Sequence, residues 1–226
     1  GALGALSCDG GSPTGPSNPV DIPRLTLALT SANFTLQYSE ASAGVAEAYS
    51  AELEANLPRV LGDLQGTPSG RIVGRLYPDR PTFEAATGFV GSGAASGPYL
   101  FSLAALPYAP SDAVHEMTHC VTWNLARASF GTIWLWESIA VYEAGSFVPP
   151  SSLPDLVAGR FPTLAELNDL SHRPSVYQVG FTIVEFLLAE WGWSAVRQLV
   201  VSRGDVQATL GISTAEFEAR WREFVR

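Results

Sequence analysis

The sequence predicts an α+β fold, with a mixed β-sheet and its helices in the N-terminal half and a mainly helical C-terminal half. From Asp21 to Leu106 short strand-like and helical runs alternate, whereas beyond Pro110 the strand signals stop and helix start and stop residues recur. Length and composition agree, since 226 residues that are 46% hydrophobic and 15% charged can bury a sizeable core. Residues 21–226 are therefore expected to form a single domain with lobes of roughly 21–109 and 110–226.

Taken in order, Leu25–Leu29 and Phe34–Tyr38 have strand character. Residues 41–61 then place Val45, Tyr49, Leu53, Leu57 and Leu61 at four-residue intervals, which predicts a helix stopped by Gly62. Arg71–Tyr77 is a third strand, ended by Pro78, and Pro81–Ala86 reads as a short helix with proline in its first turn. Four glycines in Gly88–Pro98 predict an exposed mobile loop, and Tyr99–Leu106 a strand at a sheet edge. Helix starts are expected at Ser111, at Thr163 with Glu166 and at Ser213 with Glu216, the last two as capping boxes; Gly192 and Gly204 fit helix stops. The most apolar run, Phe181–Ala189, carries Glu185 and suits a buried helix, and no run approaches the roughly 18 apolar residues of a membrane span.

Residues 1–20 stand apart. Asp9–Val20 is rich in Gly, Pro and Ser and reads as a flexible tether. Ahead of it Gly1–Ser7 is small and apolar and ends at Cys8, which resembles the tail of a bacterial lipoprotein signal sequence, although Ala5 stands where such signals usually place Leu. That resemblance implies an exported protein, secreted or lipid-anchored at Cys8. A disulfide between Cys8 and Cys120 is not expected, because Cys120 falls in a packed helix.

Charge and residue usage exclude several function classes. Thirteen basic against 22 acidic residues give a net charge of −9, the wrong sign for nucleic acid or an anionic membrane surface. Every basic residue is Arg, so neither Schiff-base chemistry nor a P-loop lysine is open to the chain.

The strongest signal is His115-Glu116-Met117-Thr118-His119. Four residues apart on a helix, His115 and His119 stack one turn above the other, the spacing that brings two imidazole nitrogens to one zinc ion. Glu116 lies about 100° round the helix and flanks that face, within reach of a water on the metal without being a ligand. Thr118, Thr122 and Ala126 keep the site face small, while Val114, Met117, Val121 and Leu125 form a core stripe opposite. A third ligand is needed, and Glu137 is the candidate: the seventeen residues between it and His119 suffice for the rest of the helix, a turn around Phe130-Gly131-Thr132 and a return helix.

Trp134-Leu135-Trp136-Glu137-Ser138-Ile139-Ala140 resembles the Trp-Leu-x-Glu-Gly-x-Ala that follows His-Glu-x-x-His in the peptidase MA family of gluzincin zinc metallopeptidases, with Ser138 in place of the usual Gly. Further along, Phe161–Leu167, Tyr177-Gln178-Val179-Gly180 and Glu190-Trp191-Gly192 are similar to the helical half of bacterial domains of that family. The resemblance covers residues 25–226 in layout, with its specific matches after Tyr99. It implies a zincin-like fold with an active-site cleft between the halves, and one zinc held by His115, His119 and Glu137. It also implies hydrolysis of peptide or protein substrates, with Glu116 as general base toward the metal's water and a sheet-edge strand, here Tyr99–Leu106, pairing with extended substrate. Tyr177 falls where such domains often carry a tyrosine near the zinc, giving either an oxyanion donor or a core tyrosine. Val141 stands where thermolysin-like members have an outer-shell Asp, so that role would pass elsewhere, with Glu143 as a candidate.

Other chemistry-bearing residues read more plainly. His172 and Arg173, in the loop Ser171–Pro174, are expected as solvated surface residues, with transition-state or substrate-carboxylate contacts as the alternative. Trp123, Trp134 and Trp136 are expected to pack around the site, and Cys120 to be a small buried hydrophobe. Two non-hydrolytic readings stay open: a catalytically inactive zinc-binding module for peptide or cell-wall recognition, and a metal-free interaction domain.

Overall fold

The computed structural model describes residues 20–66, 70–106, 109–126 and 132–226. The expected leader remnant, the tether as far as Pro19, lipidation of Cys8, and Phe130-Gly131 of the expected turn lie outside the described residues. The architecture is α+β, a mixed five-stranded sheet followed by a helical C-terminal half. Two compact units divide it. One comprises the described residues of Gly1–Gly62 and Gly66–Asn124, the other Asp63–Gln65 and those of Leu125–Arg226.

In the first unit the sheet runs β1 (Leu27–Thr30), β2 (Phe34–Tyr38), β3 (Ile72–Tyr77), β5 (Leu100–Ala104), β4 (Gly93–Gly97). The three inner strands are parallel to one another, as helical crossovers allow, and β1 and β4 are antiparallel additions on the outside. Helix α1 (Ala43–Leu64) links β2 to β3 and α2 (Arg80–Thr87) follows β3. Alternation sorts the strands into two faces. Phe34, Leu36, Ile72, Leu76, Phe101 and Leu103 point one way and are buried. Tyr77, Ala94 and Ala104 point the other way and meet Phe83 of α2, whose start is capped by the Asp79 carboxylate on the Thr82 amide at 2.8 Å. Gly74 has to be glycine, since a Cβ there would fall 2.6 Å from the Phe101 ring.

Three expectations are corrected here. Gly62 does not stop α1, which continues to Leu64, because Val60 and Leu64 on its inner side are fully buried and hold the turn that the exposed glycine occupies. Residues 88–98 are not an open loop: Gly93–Gly97 forms β4, buried except at Ser96. Consequently β5 is an interior strand flanked by β3 and β4, and β4 is the outer one. Small residues make a poor strand by propensity, but here they admit a helix onto the sheet. That helix is α3 (Ser111–Leu125), which belongs with the sheet to the first compact unit as far as Asn124.

The second unit is built from α4 (Ile133–Glu143), α5 (Pro154–Val157), α6 (Val176–Glu190), α7 (Gly192–Val201), α8 (Val206–Leu210) and α9 (Thr214–Val225). Ser175 and Gln178 form a reciprocal capping box that starts α6, and the Ser213 hydroxyl accepts the Glu216 amide to start α9. The Thr163–Glu166 box also forms, but it opens only a three-residue 3₁₀ turn before Asp169 turns extended. Trp221 of α9 is fully buried and donates its indole N–H to Thr182 of α6 at 3.0 Å. No single helix among the described residues is long and apolar enough to cross a membrane.

Candidate metal centre

Helix α3 positions the two histidines as their spacing requires. Every residue from Ala113 to Trp123 is buried, so this helix has no solvated side and its polar groups lie inside the protein. The rings of His115 and His119 stand perpendicular with centroids 4.7 Å apart, and their Nε2 atoms converge to 3.1 Å. Two nitrogens bound tetrahedrally to one zinc at about 2.0–2.1 Å would lie roughly 3.3 Å apart, which matches this separation. Thr118 and Thr122 line the helix with hydroxyls turned back onto the carbonyls of Val114 and Thr118, both at 2.8 Å, so neither competes for the imidazoles.

Glu137 sits in the middle of α4 and is fully buried. One nitrogen from each of His115 and His119 and one carboxylate oxygen of Glu137 all lie within 4.8 Å of one another, and this group could hold a metal ion. Two imidazoles and a carboxylate are the donors that suit a first-row divalent cation.

Several local features fix α4. The Asn168 amide oxygen accepts from the Trp134 N–H at 3.1 Å, while the Thr132 hydroxyl donates to the Arg203 carbonyl at 2.7 Å and provides no side-chain cap. Beside Glu137, Ser138 meets Gly180 of α6: a Cβ at Gly180 would fall 2.7 Å from the Ser138 hydroxyl oxygen and 2.9 Å from its Cα. The two helix backbones thus approach closely next to a metal-binding candidate. Tyr177 lies one turn before Gly180 on α6, with its hydroxyl out of solvent.

Glu116 is only 1% exposed and faces the sheet. A Cβ on Gly93 would fall 2.9 Å from its carboxyl carbon. One turn on, the buried thiol of Cys120 hydrogen-bonds with the Leu100 backbone; burial first, then the Glu116 charge, push that thiol far up. A further turn on, the Asn124 amide reaches the Pro98 carbonyl at 3.4 Å. Glu116, Cys120 and Asn124 therefore form one stripe of α3 laid along β4 and the β4–β5 turn. Gly93 is a residue that sequence reasoning missed; its only signal was the run of small residues, which reads equally as a loop.

The remaining candidates fall as follows. Glu143 is buried at the last position of α4, and Trp123, Trp134 and Trp136 are buried as packing residues. Arg173 is exposed, but His172 is only half exposed. Both line a pocket of about 210 Å³ with Asp155, Arg160 and Glu166. The Glu166 carboxyl is held down first by the Thr163 amide, then by the Thr163 hydroxyl, with a smaller contribution from His172.

No protein-family model, curated protein or solved structure matches this chain.

Proposed function

We propose that this chain is a zinc-dependent peptide hydrolase of zincin-like fold, acting outside the cytoplasm on peptide or protein substrates. One observation carries the reading: a buried His-His-Glu donor set within 4.8 Å, with a second buried carboxylate, Glu116, adjoining His115 on the same helix. A purely structural zinc site favours cysteine ligands and four protein donors, whereas three protein donors leave a position for chemistry. Bound there, zinc would bring the ionisation of water near neutral pH and polarise a carbonyl.

The chain's own groups supply the rest. Glu116 takes a proton from water as the peptide carbonyl is attacked and returns it to the leaving amine. The Tyr177 hydroxyl donates to the oxyanion of the tetrahedral intermediate. Extended substrate pairs with the outer edge of β4, which lies beside Glu116, rather than with Tyr99–Leu106.

The test measures metal by mass spectrometry on protein purified without chelator, beside His119→Ala, and peptide-library cleavage beside Glu116→Gln. About one zinc per chain, lost in His119→Ala, with cleavage lost in Glu116→Gln at unchanged zinc, is the expected result. Zinc without turnover would favour a recognition module, and no zinc in either protein would overturn the reading.

A further inference from the structure

We infer that Gly93 is a positioning residue for Glu116, its missing side chain providing the space in which that carboxylate is held. This rests on the reading of Glu116 as the base. A Cβ at position 93 would meet the Glu116 carboxylate and fall 2.9 Å from its carboxyl carbon. The backbones on either side are held, so the end of a side chain is what must move. Gly93 is paired to Leu103 in the β4–β5 ladder, and α3 is buried from Ala113 to Trp123 and joined to the same strand pair through Cys120 and Asn124. Its φ is not in the left-handed region, so backbone conformation alone does not demand glycine there. The demand is for space, and the group needing it is the carboxylate.

With any side chain at 93, Glu116 must rotate away from the β4 edge while His115 and His119, on the neighbouring face of α3, keep their places. Gly93 thus acts through Glu116, whose carboxylate is the group nearest to an added Cβ. The Leu103 side-chain end, also 2.9 Å from the added Cβ, is the competing obstacle.

The experiment is a double-mutant cycle on the full chain, Gly93→Ala and Glu116→Ala singly and together, read by thermal unfolding in the presence of chelator. Gly93→Ala is expected to lower Tm by roughly 2–8 °C, as overpacking in a domain of this size does. Less than half of that loss should remain in the Glu116→Ala background, where the obstacle has been removed. Equal losses in both backgrounds would place the clash on Leu103 and overturn the inference.

Activity and metal content supply the second arm. Gly93→Ala should keep its zinc stoichiometry while kcat falls about a hundredfold with little change in KM, the cost of a misplacement near 1 Å. In Gly93→Ala/Glu116→Asp the shorter acid should recover part of kcat relative to Gly93→Ala. Loss of zinc in Gly93→Ala would overturn the positioning role. A wild type that binds zinc but cleaves nothing, with the Tm coupling intact, would remove the base role of Glu116 and leave the contact standing.

Discussion

Replacing Gly180 by alanine tests whether α4, the helix that carries Glu137, is held as the structure describes. The added Cβ would lie 2.7 Å from the Ser138 hydroxyl oxygen, 3.2 Å from its Cβ and 2.9 Å from its Cα. The last is backbone and cannot swing aside. Overpacking of this kind costs about 1–3 kcal/mol, while exchanging glycine for alanine inside a helix returns about 1 kcal/mol, so the net loss reaches about 2 kcal/mol. At about 2–4 °C per kcal/mol, Tm should fall by up to roughly 8 °C. Gly44 and Gly62, exposed in α1 with nothing within 4 Å of an added Cβ, are internal controls. There the same substitution should stabilise by about 0.5–1 kcal/mol, because only the backbone entropy term remains. Scanning calorimetry of the three variants gives the signs directly. Gly180→Ala raising Tm as much as Gly62→Ala would refute the close approach of α6 to Ser138.

Two more outcomes are expected. Burial alone would push the Glu54 carboxyl up, but hydrogen bonds from Ser31 and from the backbone and side chain of Asn33, with the Arg71 charge, hold it below its ordinary 4.5. A lowered folded pKa stabilises fully above the unfolded value and loses that stabilisation as pH falls through the folded one. Urea unfolding of Glu54→Gln should accordingly lose part of the wild type's decline in stability below about pH 4.5, and identical acid profiles would refute the clamp. Trp221→Ala should cost about 3–5 kcal/mol by denaturant titration, because it empties a fully buried site and breaks the 3.0 Å bond to Thr182. A loss below about 1 kcal/mol would mean that α9 is not seated there.

The sequence reading succeeded where local pattern and tertiary packing demand the same thing. Phe34–Tyr38 alternates and forms a strand of those residues, and Ser111 and Ser213 mark the starts of α3 and α9. His115 and His119 were legible because i, i+4 spacing fixes their relation within one helix, whatever surrounds it. Failures occur where a distant element decides. Gly62 is a good stop signal locally, but burial of Val60 and Leu64, about 1.5–3 kcal/mol each, outweighs the roughly 1 kcal/mol that glycine costs a helix. Gly93–Gly97 lacks strand propensity and becomes a strand because α3 needs a thin partner, a fact held in residues about twenty positions further on. Thr163 and Glu166 complete their box, yet no buried stripe follows to extend it, and a cap without a face gives only a turn.

Stability alone does not account for what α3 and α4 bury. In α4 nine of eleven residues are buried, and an apolar side chain would serve at position 137 as well as it does at 135 or 139. A fully buried carboxylate carries a desolvation penalty of several kcal/mol that its partners must offset, and hydrophobic replacements at such sites are often neutral or stabilising. The same holds for His115, Glu116 and His119, none more than 8% exposed. Four ionisable groups at core positions of two successive helices therefore work against the local rule for building a core, and departures of that kind concentrate where a protein needs chemistry rather than packing. The glycines at 93 and 180 argue in the same direction. Each gives up side-chain packing so that a backbone can come within touching distance of Glu116 in one case and of the residue after Glu137 in the other. A core optimised for cohesion would fill those spaces with apolar side chains; this one gives them to the Glu116 carboxylate, the proposed base, and to Ser138, the residue after the proposed third metal donor.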